Sequence, residues 1–123
     1  MKYVIGILLG LSGAANAHEM VPAYPTMKPS YITGVSVTNM KIFNRRDDVR
    51  YYEIGVFTSE WEPIPFASEE KIIKLEYLEK KTFEVYIRNS DLDDATYICT
   101  LSKLEKDNVR TTGVSSKICS KIK

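Results

Sequence analysis

Apolar and polar residues alternate along most of this chain with a period of two, the spacing of strands that bury one face. The clearest case is Thr82–Arg88, where Phe83, Val85 and Ile87 point one way and Glu84, Tyr86 and Arg88 the other. Val35 and Val37 alternate with Ser36 and Thr38, and Met40–Phe43 continue that strand or begin another. Within Val49–Thr58, Tyr52, Ile54 and Val56 share a face. Ile72, Ile73 and Leu75 form a further apolar segment, either a strand or a short helix opened by Ser68-Glu69-Glu70-Lys71. Thr96–Ser102 sets Tyr97, Cys99 and Leu101 against Thr96, Ile98 and Thr100. The last segment carries Val114, Ser116, Ile118, Ser120 and Ile122 opposite Lys117, Cys119 and Lys121.

Between these runs lie turn signals. Asn44-Arg45-Arg46-Asp47-Asp48 reads as a charged turn, Asn89–Asp94 as a loop, and Glu105–Asn108 as another turn. Trp61-Glu62-Pro63-Ile64-Pro65 is no central strand, because its two prolines remove ladder donors. Short strands separated this regularly predict an all-β, immunoglobulin-like sandwich of about seven strands.

The amino terminus departs from this pattern. Lys2 precedes the apolar run Val4–Leu11, and Ala15-Asn16-Ala17 follows with small residues in the spacing that signal peptidase reads. The run is far shorter than the roughly 20 apolar residues a membrane span needs. Residues 1–17 are therefore expected to be a signal peptide, and 18–123 one domain, periplasmic or secreted. That length suits a single core.

Charge is almost balanced, with 17 basic and 16 acidic side chains. A balanced surface argues against nucleic acid, or a membrane after leader cleavage, as partner. Cys99 and Cys119 are the only cysteines, and in an oxidising compartment they are expected to form one structural disulfide. Closing a loop of about twenty residues would contribute about 3 kcal/mol.

Catalysis finds little to work with. The chain has one histidine, His18, so a serine or cysteine triad would have to use the mature amino terminus. No enzymatic activity and no cofactor are expected. Asp91, Asp93 and Asp94 lack the glycine and terminal glutamate of a calcium loop. Copper is the one metal alternative: cleavage after Ala17 would give His18 a free α-amino group beside its imidazole, with Met20 and Met27 nearby. Seven of the tyrosines, with Trp61, lie beyond residue 17, and such side chains are enriched where proteins meet.

Asp93-x-Ala95-x-Tyr97-x-Cys99 is the most specific pattern in the chain. A tyrosine two residues before the cysteine of strand F is the tyrosine corner of immunoglobulin-type sandwiches, its hydroxyl bonding back to nearby backbone. No upstream cysteine exists, so Cys99 pairs forward with Cys119. On successive antiparallel strands this bridge would tie down the last strand.

The order of these features resembles the amino-terminal domain of PapD-like periplasmic pilus-assembly chaperones. The resemblance is carried by the proline-containing first strand, Val35-Ser36-Val37-Thr38-Asn39, Tyr51–Val56, the Trp61-Glu62-Pro63-Ile64 corner and Leu78–Val85. It implies a chaperone-like protein-binding module that serves an exported, pilin-like subunit by strand donation. The donor would be Val109–Lys123, with Val114, Ile118 and Ile122 inserting and Lys121 as a candidate anchor for a carboxylate. The alternative is that this apolar row faces the domain's own core. Family members continue into a second sandwich. Two other functions stay open: a structural or adhesive component of a surface or virion assembly, and a periplasmic copper carrier using His18.

Overall fold

The computed structural model describes residues 18–103 and 115–123. The predicted leader, Val114 and the Glu105–Asn108 turn lie outside the described residues. Among the described residues eight strands form two antiparallel sheets: β1 (Glu19–Val21), β2 (Lys28–Pro29), β3 (Val35–Phe43), β4 (Tyr51–Phe57), β5 (Ile72–Lys74), β6 (Lys80–Arg88), β7 (Tyr97–Lys103) and β8 (Lys117–Lys121). In the first sheet β3 pairs with β6 on one side and successively with β1 and β2 on the other. The second sheet has the order β5-β4-β7-β8. Because β1 and β2 share one flank of β3, they act as two halves of an interrupted edge strand. The result is an immunoglobulin-like sandwich, as the alternation predicts.

Strand β6 decides which face of β3 is buried. Its inward residues Phe83, Val85 and Ile87 lie opposite Met40, Thr38 and Ser36, so that parity of β3 enters the core with Ile42. Val35 and Val37, the residues that mark this strand by composition, are on the outer face. The polar members of the buried row tolerate this where partners exist, and the Ser36 hydroxyl donates to Asn89 Oδ1 at 2.6 Å. In the facing sheet Tyr52, Ile54, Val56 and Ile98 close the core, joined by Ile73 and Leu75. Ile72–Lys74 is a strand and no helix opens at Ser68.

The charged turn after β3 sends Asn44 and Arg46 into the interior while Arg45 and Asp47 stay exposed. Asn44 is completely buried and every polar atom it has is used. Its backbone N–H donates to Glu79 O at 3.0 Å and its carbonyl accepts from Leu78 N at 2.7 Å. Its Nδ2 donates to Val49 O (2.8 Å) and Leu75 O (3.0 Å), while Oδ1 accepts from Arg46 N (3.0 Å) and the Tyr52 hydroxyl (2.5 Å). One side chain thus ties the β3–β4 crossing to the β5–β6 crossing. Burial pushes the Tyr52 phenol up to about 12, so it stays a donor. Arg46 is drawn in as well, forking onto Asp48 at 2.9 and 2.7 Å, which holds the Asp48 carboxyl below its ordinary value.

His18 performs a similar task beside the same pole, just ahead of Glu19, which pairs with Phe43. It is 2% exposed and packs 4.5 Å from the Tyr52 ring. Its Nε2 lies 2.8 Å from Thr100 Oγ1 on β7 and its Nδ1 2.9 Å from Ser116 Oγ beside β8. The Thr100 hydroxyl is directed at Met20 Sδ, 3.7 Å away, so it accepts from Nε2–H and Nδ1 accepts from Ser116. A neutral ring satisfies both. Burial is the main reason the imidazole is lowered to about 4, with Arg46 adding to the effect and the Thr100 contact opposing it.

Two predictions follow from these buried polar groups. Asn44→Ala takes a partner from the Tyr52 hydroxyl, the Arg46 N–H and two carbonyls, at about 1–3 kcal/mol each, so urea unfolding should show a loss of at least about 4 kcal/mol. Tyr52→Phe should cost less, about 1–2 kcal/mol; equal losses would mean the carboxamide is not the hub. For His18, the unfolded chain binds a proton below about pH 6.5 and the folded chain only below about pH 4. Stability is therefore complete above pH 6.5, declines by about 3 kcal/mol as pH falls towards 4, and has no further His18 contribution below that. His18→Gln should flatten this slope in urea melts at pH 7, 5.5 and 4.

Candidate functional site: the β8 edge and its outer face

Strand β8 is the rim of its sheet, and its register on β7 runs from Tyr97↔Lys121 to Leu101↔Lys117. Ser102 N donates to Ser116 O at 2.9 Å and Ile122 N to Thr96 O at 2.8 Å. Even-numbered residues therefore turn their backbone groups towards β7, and Lys117, Cys119, Lys121 and Lys123 turn theirs outward. The outward groups are partly taken: Lys121 N donates to Ala23 O (3.0 Å) and Lys123 N to Pro25 O (2.9 Å). Ala23–Pro25 thus runs parallel to the end of β8, having left the first sheet after β1 at the cis Val21–Pro22 bond. Among the described residues no strand flanks the outer side of Lys117–Cys119.

Cys99 and Cys119 are directly opposed at a non-hydrogen-bonded position, with Cα atoms 4.1 Å apart, and are joined by the expected disulfide. β8 is thereby fastened covalently to β7. From inside it is held by Ile118 and Ile122, which are half-buried against this domain's own core. That is the second of the two placements open to this row from sequence. Lys121 is exposed on the opposite face, and Val114 is not among the described residues.

The outer face beside β8 carries an aromatic cluster. Trp61 stacks on Tyr97 with centroids 4.4 Å apart and planes 5° from parallel. Lys117 Nζ sits 4.0 Å from the Trp61 centroid and 5.2 Å from that of Phe57. Trp61 adopts φ 67°, a conformation bulky residues rarely take, at the tip of a turn organised by Thr58. The Thr58 hydroxyl accepts from Glu60 N and Glu62 N, each at 3.1 Å, and Thr58 O accepts from Trp61 N at 3.0 Å. Trp61 remains 47% exposed.

Two expectations are corrected here. Tyr97 is not a tyrosine corner: its parity on β7 is that of Cys99, so its ring lies on the outer face against Trp61 rather than under the sheet. The buried tyrosine whose hydroxyl fastens a turn is Tyr52. The copper alternative is also given up, because the His18 ring is buried and both its nitrogens are bonded to hydroxyls. Sequence reasoning missed the Trp61–Tyr97–Lys117 stack. Its only signal was the parity that puts Tyr97 and Lys117 on one face, and nothing local placed Trp61 over them.

Comparison of the sequence with family models and with curated proteins finds no match. Comparison with solved structures does. The chain is similar to the E. coli chaperone DraB, with a TM-score of 0.63 and 14% identity over 86% of this chain and 53% of that one. It therefore spans about half the length of that chaperone. It is also similar to an ASH/PapD-like domain of human CEP192 (PapD-like domain 7), with a TM-score of 0.53 and 6% identity over 88% of this chain and 83% of that one. At these identities the likeness is one of fold, and the fold of this chain is PapD-like.

Proposed function

We propose that this protein is an exported, chaperone-like binding module that engages a secreted, pilin-like subunit by strand addition along the outer edge of β8. One observation carries the reading: in a PapD-like sandwich, the last strand lies at a sheet rim, and among the described residues no strand lies beyond Lys117–Cys119. An edge of this kind offers main-chain donors and acceptors in register, which is how β-augmentation gains affinity. The disulfide and the inward anchors Ile118 and Ile122 keep that edge in place while a partner adds to it. The module acts by binding rather than catalysis, in the periplasm or outside the cell, after removal of residues 1–17. The similarity to a protein named as a chaperone supports the reading, with that similarity spanning about half of the chaperone's length.

Lys117→Pro tests it. The Lys117 N–H points away from β7, so proline there should leave the β7–β8 ladder intact and cost only the Lys117 contact with Trp61, about 0.5–1 kcal/mol, while obstructing an added strand. Tagged wild-type and variant proteins would be purified from the native envelope and their stoichiometric partners identified by mass spectrometry. The expected result is one exported subunit bound to wild type, lost from Lys117→Pro, and released from the wild-type protein when the subunit assembles. Retention by a folded Lys117→Pro variant would move the partner off this edge. A partner that never leaves would make the protein a structural component of an assembly.

A further inference from the structure

The sheet opposite β8 carries a second surface. The outer faces of β3 and β6, with the Ser30–Gly34 turn and the stretch Pro65–Ser68, border an open cavity of about 640 Å³. Its lining includes Tyr31, Ile32, Phe66 and Tyr86, with the exposed carboxylates Glu69 and Glu84. A second cavity of about 560 Å³, bordered by Asn39 and Thr82, continues along β6 and shares Glu69 and Glu84 with the first. The two form one groove, with the carboxylates at their junction.

The groove is built before anything enters it. Ala67 N donates to Tyr86 O and Tyr86 N to Ala67 O, at 2.9 and 2.8 Å, and the Ser68 hydroxyl donates to Glu84 O at 2.7 Å. The opposite wall is a turn in which Gly34 takes φ 82° and the Ser30 hydroxyl donates to Val35 O at 2.6 Å. That turn holds Tyr31, 86% exposed, edge-on to Tyr86 with centroids 6.1 Å apart.

Charge sets what fits. Arg88 is committed to Asp91 at 3.0 Å and Lys81 lies 3.8 Å from Glu70. Among the described residues no cation pairs with Glu69 or Glu84. The field acts on a neighbour: the Tyr86 phenol is raised, first by its surroundings and then by the Glu84 carboxylate. A cation already uses the edge of the groove, since Lys71 Nζ lies 5.2 Å from the Phe66 centroid.

We infer that this groove binds an extended segment of a partner protein through an arginine placed at the junction, its guanidinium on Tyr31 and Tyr86 and its charge on Glu84 and Glu69. A planar cation that stacks on tyrosine and also forks to a carboxylate is complementary to both components of the wall. An extended chain is the shape that follows the two joined cavities along β6. This surface is distinct from the β8 edge and does not depend on it.

The test is an amide chemical-shift titration of the isotopically labelled protein with acetyl-Thr-Val-Arg-Val-Thr-amide and with the same peptide carrying citrulline, the neutral isostere. The arginine peptide should produce saturable shifts at Tyr31, Ala67 and Tyr86, with the citrulline peptide about tenfold weaker. Glu84→Gln and Tyr31→Ala, both at exposed positions, should weaken the arginine peptide by a similar factor and leave the spectrum otherwise native. Lys117→Pro should bind it as wild type does, so the two surfaces stand or fall separately. Equal shifts from both peptides, no saturable shifts, or an unchanged affinity in folded Glu84→Gln would overturn the inference.

Discussion

A β-sandwich must carry its chain between two sheets at each pole, and every crossing leaves backbone groups outside the ladders. At one pole of this protein both crossings meet at Asn44, whose carboxamide reaches Val49, Leu75, Arg46 and Tyr52 while its own backbone joins Leu78 and Glu79. Carboxamide chemistry suits the position because it offers donors on one side and an acceptor on the other. An aspartate there would present two acceptors to carbonyl groups, and an alanine would present nothing. The relative placement of β3, β4, β5 and β6 rests on that one residue, and the β6 groove and the β8 edge are built on strands so placed.

His18 extends the same logic across the core. Its ring packs on Tyr52, whose hydroxyl meets Asn44, and its nitrogens reach β7 and the approach to β8. The residue that leads into β1 is thus joined through buried polar contacts to both sheets at the pole where they cross. Buried polar groups are costly unless fully paired, and these are paired at every atom with a neutral imidazole. The price appears only on acidification, when the unfolded chain gains a proton the folded core refuses.

Much of the architecture was legible because it depends on periodicity. The strands at Tyr51–Phe57, Lys80–Arg88 and Tyr97–Lys103 sit where alternation puts them, and two cysteines leave a single pairing. What alternation lacks is the sign of each face. Val35-Ser36-Val37-Thr38 looks like a strand with buried valines, yet pairing with Phe83, Val85 and Ile87 inverts it. Asn44–Asp48 looks like a solvated turn because composition records charge and not the partners waiting in distant loops. Tyr97 two residues before Cys99 fits a corner motif by spacing, but spacing cannot report that the cysteine itself faces outward. The β6 groove was invisible for the same reason, since Tyr31, Phe66, Glu69 and Tyr86 come from three separate segments.

The two outer surfaces differ in a way that follows from how their strands are held. β8 is bonded to β7 through Cys99–Cys119, packed inward through Ile118 and Ile122, and capped at its end by Ala23–Pro25. An edge fastened at three points would accommodate the proposed partner by receiving a strand beside it, because exchanging β8 itself would break a covalent bond. β6 is instead already bridged at Tyr86 by Ala67, so its rim has main-chain partners at the groove. Recognition there falls to side chains on the face of the sheet. One sandwich would therefore combine main-chain pairing on one sheet with side-chain selection on the other, and a partner that used both would need a free strand edge and an extended segment bearing an arginine.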